Sequence, residues 1–161
     1  MWYPLLVIRP TPWLLGCLLA LALPAPAGLS AREADDPDAF DTAQAFLLAL
    51  QEGDGELLYQ LGSDPYTFDG RIVSGEKAIR AEWDRLLARI GQVLHGQDKA
   101  FVEILDYPRA ARRFGNPPPK LSHLDLKSCL FAVVSFEDRH GFLLILKKKD
   151  AVGFRVTAVT G

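Results

Sequence analysis

Residues 64–83 read DPYTFDGRIVSGEKAIRAEW, from Asp64 to Trp83. Two short β-prone runs, Tyr66-Thr67-Phe68 and Arg71-Ile72-Val73, flank Asp69-Gly70, a pair that supplies the positive φ angles of a tight hairpin turn. Ser74 stands where it can cap a helix running from about Gly75 to Ile90. Ile79, Trp83, Leu86, Leu87 and Ile90 share one face of that helix, and Arg80, Asp84, Arg85 and Arg89 share the other. Arg80 and Asp84 are spaced to pair across one turn. A hairpin that feeds directly into an amphipathic helix is the organising unit of the chain.

Upstream, Phe40, Ala43, Phe46, Leu47 and Leu50 recur at helical spacing behind Asp38, which can cap a first helix ended by Gly53. A short second helix carries Leu57, Leu58 and Leu61 and stops at Gly62. Downstream of Gly96 the pattern reads as strand: Ala100–Tyr107, a loop rich in Arg and Pro from Pro108 to about Lys120, a long strand over Leu121–Phe136, a turn at Glu137–Gly141, then Phe142–Lys148 and Phe154–Thr160. The fold class is therefore α+β, with three N-terminal helices packed in a strongly curved, mixed but mainly antiparallel sheet that includes an early β-hairpin.

Residues 1–27 read as an export signal. Arg9 is the only basic residue and there is no acid; an apolar run follows from Trp13 to Leu23, and Pro24-Ala25-Pro26-Ala27 offers small residues for cleavage after Ala27. Leu14-Leu15-Gly16-Cys17 offers a lipid anchor at Cys17 as the alternative. Residues 28–37 read as a flexible lead-in and 38–161 as one domain, exported to a periplasm or secreted. Cleavage leaves Cys129 alone, so no disulfide staples the domain and it rests on its hydrophobic core.

Composition agrees with one globular domain: 49% of the 161 residues are apolar and 24% are charged. The net charge of −2 is wrong for a general nucleic-acid binder.

The element order, together with Phe68, Asp69, Gly70, Gly75, Ala78 and Ile79, resembles the nuclear transport factor 2-like superfamily of cone-shaped domains, of SnoaL-like or cystatin-like form. The resemblance covers about residues 38–161. It implies a curved sheet wrapped around three helices with an apolar cavity between them. The superfamily includes isomerases, cyclases, hydrolases, transport factors and non-catalytic domains, so the resemblance implies a pocket and not a reaction.

Acid–base work in such a pocket requires a carboxylate or His held in an apolar wall. Asp64 and Asp69 read as turn residues. Asp106 falls on the parity of Val102 and Ile104, and His123 opens the expected long strand, so these two are the candidate catalytic groups. The ligand-lining candidates are Tyr59, Tyr66, Phe68, Trp83 and Asp106. Spacing for a metal site is missing, no cofactor is implied, and Cys129 between Ser128 and Leu130 reads as a buried thiol. Arg109, Arg112, Arg113 and Lys147-Lys148-Lys149 read as solvated cations.

Two functional expectations follow. One is an exported domain binding a small apolar ligand or a protein partner through the cone. The other is a SnoaL-like isomerase, cyclase or hydrolase with Asp106 or His123 as base. They separate on whether either group faces a closed interior. The last strands are apolar on both parities, and a second subunit is the simplest cover for the outer face, so a homodimer through the sheet is expected, with membrane contact only through the signal or a lipid at Cys17.

Overall fold

The structure, a computed structural model, describes residues 36–94, 100–136, 141–149 and 153–161, with the backbone alone for 90–94. The export segment, Cys17, most of the lead-in, His95 and His140 lie outside the described residues. Helix α1 spans Pro37–Glu52 and α2 spans Gly55–Leu61. The first cap is Asp36, whose carboxylate accepts from Asp38 N at 3.2 Å, and not Asp38, because Pro37 fits the first helical position. Asp54 caps α2 through Leu57 N at 2.9 Å. Strand β1 (Gly62–Phe68) turns at Asp69 (φ 46°) and Gly70 (φ 89°) into β2 (Arg71–Val73), the expected hairpin. Gly70 also lies against the hydrocarbon stem of Lys120, where a Cβ would clash at 2.7 Å.

Helix α3 runs over Glu76–Leu94. Arg80 pairs with Glu56 of α2 and with Glu76 at 2.8 Å, not with Asp84, because α2 packs along this face and offers a carboxylate across the helix pair. Strand β3 is Ala100–Leu105. The segment expected to be a loop then forms helix α4 over Tyr107–Phe114, with Asp106 as its N-cap, Pro in its first turn and Gly115 (φ 81°) after its end. Two 3₁₀ turns follow, Pro119–Leu121 and Leu126–Ser128, so the strand expected from Leu121 begins only at Cys129. Strands β4 (Cys129–Phe136), β5 (Gly141–Lys148) and β6 (Phe154–Thr160) complete the chain.

Among the described residues six strands lie in the order β2-β1-β6-β5-β4-β3, with β1 and β6 parallel and every other neighbouring pair antiparallel. Register breaks in β1–β6 and β5–β6 help the open sheet to curve around α1, α2 and α3. Alternate residues of each strand face opposite layers. Ile104, Ala132, Val134, Leu144, Leu146 and Val156 meet Phe46, Leu50, Leu58, Ile79 and Trp83 from the helices. The other parity, Leu105, Phe131, Ile145 and Ala158, is covered by Ala110 of α4 and by Leu121 and Leu126 of the 3₁₀ turns. Cover that the sequence pattern assigns to a second subunit is thus supplied, over that row, by residues 106–128 of the same chain.

Candidate functional site

The inner layer centres on four aromatic rings. Trp83 projects from α3, Phe46 from α1, and Tyr66 and Phe68 from the same face of β1. Trp83 meets Phe46 at 5.4 Å, Tyr66 at 5.2 Å and Phe68 at 4.8 Å between ring centres, all edge to face; Tyr66 and Phe68 are 4.6 Å apart and tilted. The positions follow from sequence alone: Tyr66 and Phe68 are two apart on a strand, and Trp83 is four residues beyond Ile79 on a helix. Trp83 and Tyr66 are 0% exposed.

Both of these residues carry a polar tip. Tyr66 Oη and Trp83 Nε1 are fully buried and have no hydrogen-bond partner among the described residues. Burial pushes the Tyr66 phenol well above its ordinary value, so it stays a hydroxyl. A phenol O–H and an indole N–H are both donors, and a buried donor without an acceptor costs about 1–3 kcal/mol. Among the described residues the packed interior therefore combines apolar rings with two unmatched donors.

The remaining candidates lie elsewhere. Tyr59 is half-buried on α2 beneath the Arg80 guanidinium, 4.4 Å from its ring centre. Asp106 is half-buried at the start of α4, where Oδ1 accepts from Arg109 N at 2.8 Å. His123 is exposed in the turn between the 3₁₀ segments, with Nε2 2.9 Å from Thr67 Oγ1. Asp106 and His123 do not pair with each other. Thr67 is the outward residue between Tyr66 and Phe68, so His123 ties residues 119–128 onto the back of the strand that carries the interior rings. Near it, Asp69 Oδ1 receives Lys120 Nζ and, at 2.9 Å, Thr160 Oγ1.

Sequence reasoning missed Glu82, which is only 8% exposed. Its carboxylate takes Arg71 of β2 and, at 3.0 Å, Arg85, and the Arg71 hydrogen bond holds it below its ordinary value of 4.5. The Arg71 contact spans the hairpin and the helix and is not legible in the sequence, whereas Arg85 stands three residues on in the same helix, at a spacing that can pair. Burial pushes the Cys129 thiol up, as suits an inert side chain. Among the described residues no group of three or more His, Cys, Asp or Glu stands together as a metal site.

Among the described residues, three helices packed on one face of an open, mixed, six-stranded sheet make the α+β layout that the sequence pattern expects. No protein-family model matches the chain, and no curated protein matches it. Among solved structures it is similar to a chain from Xanthomonas campestris described as a calcium/calmodulin dependent protein kinase II association domain. The identity is 13%, the TM-score is 0.41, and the match covers 86% of this chain and 90% of that one. A likeness at that level carries no argument about family, partner or activity.

Proposed function

We propose that this chain is an exported, non-catalytic binding domain whose interior takes a small, mostly apolar ligand bearing a hydrogen-bond acceptor. The observation that carries the reading is the pair of buried donors, Tyr66 Oη and Trp83 Nε1, set among apolar rings. A carbonyl or ether oxygen can accept from either donor, and the Phe46 and Phe68 rings match a flat apolar body. The alternative of an isomerase, cyclase or hydrolase of SnoaL-like type needs a base facing that interior. Asp106 is engaged as a helix cap and His123 lies on the other side of β1, against Thr67.

Native mass spectrometry of the full chain expressed and gently purified tests both halves of the reading. The expected result is a polypeptide beginning at Gly28 that carries an adduct of constant mass, released on denaturation. A polypeptide beginning at Met1 contradicts export; a bare polypeptide that also fails to take up a hydrophobic dye contradicts ligand binding.

A further inference from the structure

We infer that the outer face of the sheet, where β4, β5 and β6 meet beside the second 3₁₀ turn, holds a site for a phosphate group between Lys127, Lys147 and Arg155. The site lies on the opposite face of the sheet from the interior rings, so it stands apart from the ligand reading.

Register brings the three cations together. Cys129, Lys147 and Arg155 form one row across β4, β5 and β6, each the direct partner of the next. Lys147 is two residues beyond Ile145, and Arg155 lies across from it, so both stand on the outer face that carries Ile145 and Cys129. Lys127 sits in the turn that leads into Cys129. The charge of Lys147 is felt at the thiol, where it pulls down against the larger upward push of burial.

Two like charges directly opposite on antiparallel strands stand roughly 5 Å apart at Cβ and destabilise the pair. An anion between them turns that repulsion into attraction. The protein supplies none: among the described residues no ion pair engages Lys127, Lys147 or Arg155, although Arg155 is half-buried. Other cations on this layer are matched, Arg113 by Glu103 and Lys120 by Asp69. Asp125 is close enough to act on the Cys129 thiol, but it forms no ion pair with the row.

Charge selects the occupant. Lys127, Lys147 and Arg155 converge beside one acid, Asp125, so a group with two negative charges balances the site better than a single carboxylate does. The Arg155 guanidinium is a planar fork of donors matched to two oxygens of a phosphate, and the two ammonium groups supply donors for the rest. Arg109 and Arg112 of α4, which packs against the same turn, are also without an ion pair among the described residues. They extend the positive field that draws an anion to this face. The phosphate arrives either on a free ester or on a lipid headgroup.

Amide NMR of the full chain, titrated with inorganic phosphate or with sodium chloride at equal ionic strength, tests this beside sedimentation with phosphatidylglycerol or phosphatidylcholine vesicles. Wild type is expected to show saturable shifts centred on residues 127–129, 147 and 155 that chloride does not reproduce. Lys127→Gln combined with Lys147→Gln is expected to weaken binding at least about tenfold. Both positions are exposed, so circular dichroism of the double variant should match wild type. Lys147→Gln alone is expected to lose part of the affinity and no stability, because it also removes the opposed like charge. Retention on phosphatidylglycerol but not phosphatidylcholine vesicles, lost in the double variant, identifies a lipid headgroup as the source. Saturable shifts without retention identify a free phosphate. No response to either probe overturns the inference. So does a response that chloride reproduces, equal retention on both vesicles without a phosphate response, or an unchanged affinity in the folded double variant.

Discussion

At the scale of the residue, Tyr66 and Trp83 are opposite tests of one cluster. Each contributes a ring to the packing and a donor without an acceptor. Tyr66→Phe keeps the ring and removes the unmatched hydroxyl. In the ligand-free chain it is expected to raise stability by about 1 kcal/mol, read by urea unfolding. A loss of that size would mean that the hydroxyl has a protein acceptor. Trp83→Ala removes a ring that meets three others. With a ligand space beside it, the change is expected to alter ligand binding and to cost clearly less than the ~3–5 kcal/mol usual for deleting a fully packed aromatic. The same unfolding series measures it, and a loss in that full range would mean solid core and count against the ligand reading.

At the scale of the element, the hairpin and the third helix are locked by Glu82. Its carboxylate pulls Arg71 of β2 onto α3, and Arg71 is the main reason that its pKa lies below 4.5. A folded-state pKa below the unfolded one gives stability that is complete above the ordinary carboxylate range. That stability is lost as pH falls through the lowered folded value. Glu82→Gln is therefore expected to cost about 1–2 kcal/mol at neutral pH, discounted because Arg71 is largely exposed. Unfolding curves of the two proteins should converge on acidification below 4.5. A gap independent of pH would mean that the carboxylate charge does nothing. Short-range chemistry of this kind was partly legible. Asp69-Gly70 announced the hairpin, and the 3.6-residue period placed Ile79 and Trp83 inward. Helix α4 was misread although its signals were present: Asp106-Tyr107-Pro108 to start it, Ala and Arg to propagate it, Gly115 to stop it. The density of Pro and Arg around it suggested a loop. Contacts such as His123 with Thr67, or Arg71 with Glu82, join segments that the linear pattern cannot bring together.

At the scale of the whole molecule, the described residues form three layers: helices, sheet, and the strap of residues 106–128 over part of the sheet's outer face. Apolar residues on both parities of β4 and β5 show that both faces need cover, but not that the strap supplies much of it. Cys129 reports on that outer layer. It is buried beneath the strap, its Sγ 3.3 Å from Asp125 O, with its thiol pushed up by desolvation. Alkylation at Cys129, located by peptide mapping, is expected to follow unfolding of the chain and to be negligible in the folded protein at neutral pH. Fast alkylation of the folded chain would show a strap that opens locally.

The ligand proposed above would lie among the interior rings with an acceptor against two protein donors, Tyr66 Oη and Trp83 Nε1. A crystal structure of the gently purified protein, at a resolution that places ordered waters, tests it most directly. The expected result is non-protein density larger than one water, with an acceptor about 3 Å from Tyr66 Oη and from Trp83 Nε1. Protein acceptors at both atoms, or a single water bridging them, would contradict it.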